Sequence, residues 1–100
     1  MFNTFWNNLK RDVIHDKEFQ TLRQRKGFSA RFSEGTIKIF PESTMHQRNI
    51  SQEEFIRVWN HAKNMRQGQQ FVRANYNDMT RNGSYILAIM KNYLGDAQIE

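Results

Sequence analysis

One hundred residues, 38% of them hydrophobic and 13% aromatic, suffice for one compact domain with one core and are too few for two. The lack of cysteine excludes a disulfide framework and thiolate chemistry, and a single proline with five glycines argues against a disordered or collagen-like chain. The formal net charge of +5 favours anionic partners and is unevenly spread: between Phe55 and Gly95 six cations (Arg57, Lys63, Arg66, Arg73, Arg81, Lys91) stand against one acid, Asp78, and the remainder balances to zero.

Phe2, Phe5, Trp6, Leu9 and Val13 recur at three- and four-residue spacing, which predicts a helix from about Thr4 to His15, within an N-terminal region of residues 1–17. The next region, residues 19–50, reads as β-structure. Phe28, Ala30 and Phe32 alternate with Ser29, Arg31 and Ser33, and after Glu34-Gly35 a second alternation sets Ile37 and Ile39 opposite Thr36 and Lys38, a hairpin closed by Pro41. Phe19 to Leu22 is expected to add a short strand, with Gly27 providing the turn. Residues 51–95 form the helical region. Ser51 and Glu54 make a capping box, in which each side chain serves the other's amide, and Ile50 and Phe55 stand where a hydrophobic staple closes. Phe55, Val58, Trp59, Ala62 and Met65 give the apolar stripe of a helix ending before Gly68. Phe71 to Tyr76 fits a short helix or a strand, and Asn77 to Gly83 a loop. A last helix starts near Asn82 or Ser84, one of which caps it, and runs to Leu94 with Gly95 as its stop.

Little in the chain points to catalysis. His15, His46 and His61 are far apart, and the carboxylates Glu34, Glu53 and Glu54 are explained by a turn and a helix cap, so neither a metal nor another cofactor is expected. No Gly-x-Ser-x-Gly elbow and no phosphate-cradling glycine cluster is present. The basic residues are more informative. Arg23, Arg25 and Lys26 cluster where two strands meet, within reach of a phosphate backbone. Arg81, Asn82 and Ser84 precede the apolar body Tyr85 to Met90, so a buried helix would present a cationic, amide-rich N-terminus.

The order Phe19-x-Thr21-Leu22, a basic stretch, Gly27-Phe28, Ile37-x-Ile39 with Pro41, Arg48-x-Ile50, Phe55 and Trp59, then Asn82-x-Ser84-Tyr85-Ile86-x-Ala88-Ile89, resembles a small module. That module accompanies restriction-type nucleases and other mobile-element proteins. The resemblance spans Phe19 to Leu94 and implies a DNA-facing accessory domain without its own catalytic centre, with the helix start at Asn82, Ser84 and Tyr85 carried over.

The expected architecture is therefore α+β and winged-helix-like, with an N-terminal helix, a two- or three-stranded antiparallel sheet and two or three further helices. The expected function is non-catalytic binding of double-stranded DNA, as in a phage or mobile-element accessory or regulatory protein. Arg73, Arg81 and Lys91 would contact phosphate, Asn77, Asn82 and Ser84 would approach base edges, and Arg23, Arg25 and Lys26 would hold flanking backbone. A small inhibitor or adaptor docking the same basic face on an acidic protein is the alternative. The start of the chain, Met1 to Leu9, reads as neither an export signal nor a membrane span, which sets the expectation of a cytoplasmic protein.

Overall fold

The computed structural model describes residues 1–44 and 46–100. Among them the chain forms α1 (Phe2–Asp12), β1 (Lys17–Gln20), β2 (Gly27–Ser33), β3 (Thr36–Pro41), β4 (Arg48–Ser51), α2 (Gln52–Ala62) and α3 (Gly83–Leu94). Two 3-10 turns, Gln67–Gln69 and Arg73–Tyr76, lie between α2 and α3. The class is α+β, with the helices on one face of an antiparallel meander in the order β1-β2-β3-β4.

That sheet has four strands, where two or three were expected. The additional strand is β4, paired Ile37↔Ile50 and Ile39↔Arg48 against β3. It is short and has one apolar side chain, Ile50, so its alternation is too brief to read locally. A winged-helix-like arrangement is matched only in that helices and a β-hairpin share one core, because the meander stands as a block between α1 and α2.

The β2–β3 hairpin follows its sequence. Glu34 and Gly35 have φ of 55° and 79°, the left-handed pair that a two-residue turn between right-twisted strands requires. The β1–β2 connection departs from expectation. β1 ends at Gln20, and the left-handed position falls on Arg25, φ 53°, instead of on Gly27, which has joined β2. Thr21 explains this shift. Its amide donates to the Lys26 carbonyl at 2.9 Å, its carbonyl accepts from the Arg25 amide at 3.0 Å and its hydroxyl accepts from the Lys26 amide at 2.9 Å. Three bonds to one buried threonine close a loop that projects Leu22 to Arg25 outward.

Phe19, Phe28, Ala30, Ile37, Ile39 and Ile50 are buried in one cluster with Phe5, Trp6 and Leu9 of α1, Phe55, Val58 and Trp59 of α2, and Ile86 to Met90 of α3. The opposite sheet face shows Glu18, Gln20, Arg31 and Asn49 to water. At the helix junction the Tyr93 hydroxyl donates to Asp12 at 2.9 Å. This bond, with Arg11 alongside, holds the Asp12 carboxyl below its usual range, while burial and the same bond push the Tyr93 phenol well up. Burial also pushes Tyr76 up to about 12. Among the described residues no helix is long and apolar enough to cross a membrane.

The capping box is half formed. Ser51 Oγ accepts from the Glu54 amide at 3.1 Å, but the Glu54 carboxylate turns away from the Ser51 amide and accepts from Thr80 Oγ1 and, at 2.9 Å, from Asn82 Nδ2. The carboxylate thus ties the start of α2 to the loop before α3. Ser51→Ala should cost about 1 kcal/mol through loss of the cap alone. Urea denaturation of the variant checks this, and a cost well above 2 kcal/mol would mean that the hydroxyl supports more than the helix start.

Candidate nucleic-acid interface

Three segments remote in sequence meet at one end of the sheet. They are the Thr21–Lys26 loop, the start of β4, and the stretch from Phe71 to Tyr85 that wraps onto α3. Between them lies an open cleft of about 660 Å³, lined by Arg23, Lys26, Arg48, Arg73 and Arg81 among others. Among the described residues no aspartate or glutamate lines it. The ion pairs found among those residues, Arg11–Asp12, Arg31–Asp16 and Lys91–Asp96, involve none of these five cations.

Each wall has a local cause. The loop is held by Thr21, as described above. Arg48 stands two residues from Ile50 on a strand, so both point to the helix-covered face, and at the sheet end that direction leads to α3. Its guanidinium lies 5.5 Å from the Tyr85 ring centre and donates to Asn82 Oδ1 at 3.3 Å. Arg73 packs its aliphatic stem on Gly83, where a Cβ would sit 3.6 Å from Arg73 Cγ. Tyr85 in turn meets Phe28 edge-on, with ring centres 5.0 Å apart.

The fold therefore brings together Arg23, Lys26, Arg73, Asn77, Arg81 and Ser84. It does not bring the remaining expected residues to the same place. Arg25 and Lys91 border a second, shallower depression with Glu18 and Glu42, and Lys91 is paired with Asp96 at 3.0 Å and lies 4.8 Å from the Phe71 ring centre. Asn82 is engaged within the fold, because its amide donates to Glu54 and its carbonyl accepts from Arg48, and it does not line the cleft. It occupies the N-cap position of α3 without a side-chain capping bond, contrary to expectation. Its Oδ1, the atom that would accept a capping bond, is taken by Arg48, and Glu54 holds its Nδ2, so what Asn82 positions is Arg48.

Arg48, Leu22, Phe71 and Val72 also line the cleft and were not among the expected site residues. For Arg48 the usable signal was its spacing from Ile50. Leu22 and Val72 are each 40% exposed, which no local pattern announces. The charge rich in Phe55 to Gly95 is not concentrated in space: Arg57, Lys63 and Arg66 are exposed elsewhere, and three of the five cleft cations come from the half of the chain that balances to zero. No protein-family model, no curated protein and no solved structure matches the chain.

Proposed function

We propose that the chain is a non-catalytic DNA-binding module that holds the sugar–phosphate backbone at this cleft, in the manner of an accessory or regulatory protein of a phage or mobile element. The observation that carries the reading is five cations outside any ion pair, from three segments, converging on a cleft that no acid lines among the described residues. Like charges gathered on one surface suit a polyanion, and arginine binds phosphate through paired charge-assisted hydrogen bonds. Asn77 and Ser84 add uncharged donors on the same walls. Contact comes from loops and a strand end, so the reading needs no winged-helix recognition helix inserted into the major groove.

Five phosphate contacts imply that log affinity for random-sequence duplex falls with log salt at a slope of about −4 to −5. Arg81→Ala should weaken binding across all sequences and reduce the slope by about one, without lowering the melting temperature. Lys63→Ala, at the exposed C-cap of α2, should alter neither. Anisotropy titrations at several salt concentrations test this. Absence of binding at low salt, or a slope near zero, would favour an inhibitor or adaptor that docks the same cations on an acidic protein.

A further inference from the structure

The cleft also has apolar walls. Among the described residues the exposed large hydrophobic side chains are Met1, Ile14, Leu22 and Val72, and the last two, fifty positions apart, both line this cleft, Leu22 also bordering the second depression. Phe71 and Tyr85, both half-buried, line it with them. Apolar groups on a cation-rich wall gain nothing from the outside of a duplex, which offers phosphate and sugar. They gain from the faces of unstacked bases. Size points the same way, because 660 Å³ falls in the range of about 300 to 1,000 Å³ that encloses a small-molecule-sized group.

From the cation set and the apolar walls together we infer that the cleft takes an unpaired DNA strand, with phosphates on Arg23, Arg73 and Arg81 and a base against Leu22, Val72 and Tyr85. The inference rests on the DNA reading above and narrows it. Arg48 sits between the two kinds of contact. Its guanidinium lies over the Tyr85 ring, 5.5 Å from the ring centre, so on that side a base would meet the planar cation stacked on the aromatic ring.

The test compares three labelled probes of equal length at low salt: a single-stranded thymidine dodecamer, the same strand with every base removed, and a blunt duplex. The thymidine strand should bind about fivefold or more tightly than either of the others. Leu22→Ala combined with Val72→Ala should reduce its affinity about fivefold and change duplex affinity less than twofold. Equal affinity for the abasic and thymidine strands, or tighter binding of the blunt duplex, would overturn the inference while leaving DNA binding in place; this comparison uses the unaltered protein, so it does not depend on how the double variant folds. Failure to bind any of the three probes would remove the DNA reading and the inference with it.

Discussion

Replacing Trp59 by alanine is expected to cost about 3 to 5 kcal/mol and to lower the melting temperature by at least about 12 °C. Trp59 is 3% exposed, in the middle of the α2 stripe. Phe2 meets it edge-on and Phe5 at a tilt, each with ring centres 5.4 Å away. Its indole is thus where α1 docks on α2, and the cavity left by truncation would be walled by rings that cannot all turn inward to fill it. Thermal and urea unfolding measure the loss. A cost below about 1 kcal/mol would mean that α1 is held to α2 by something other than this aromatic contact.

Gln70→Leu is expected to cost roughly 2 to 4 kcal/mol although leucine is apolar and of similar size. Gln70 is 1% exposed and spends its whole amide on backbone: Nε2 donates to the Ala62 carbonyl at 2.8 Å and the Ile99 carbonyl at 3.0 Å, while Oε1 accepts from the Ile99 amide at 2.9 Å. The Tyr76 hydroxyl donates to the Gln70 carbonyl at 2.6 Å. Leucine would leave the Ile99 carbonyl and amide without these partners and would take one of two donors from the Ala62 carbonyl, which keeps the Met65 amide at 2.9 Å. Urea denaturation gives the total, and hydrogen exchange at the Ile99 amide locates it. Retained protection of that amide in the variant would show that the Ile99 segment is held by its side chain instead.

What the sequence disclosed about the fold was whatever a few neighbouring residues decide together. Ser51 with Glu54, and Glu34 with Gly35, settle a helix start and a turn within four residues, and both stand where they were expected. Gly95, φ 60°, stops α3 for the same reason. β4 escaped notice because Arg48–Ser51 becomes a strand only by pairing with β3, and Gln70 escaped because a core glutamine is defined by carbonyls at Ala62 and Ile99. The candidate site divides in the same way. Arg81 and Ser84 were legible as the approach to an apolar helix, but their meeting with Arg23, Lys26 and Arg48 is a product of the meander's closure and of α3 packing beside it. Arg25 went to the other side of its loop because the backbone at that position is left-handed, a choice made by the Thr21 bonds.

The unpaired cations around the cleft also act on the protein when nothing is bound. Five like charges with no acid among them repel one another in the folded state, and that repulsion is relieved on unfolding, when the three segments separate. Mobile anions screen it over a distance of about 10 Å at 0.1 M salt. Added salt should therefore act in opposite directions on two properties of the same surface, raising the stability of the free protein and weakening the proposed attachment to a polyanion. The free fold is in this sense incomplete without counter-ions, and a bound phosphate chain would serve as a structural component as much as a target.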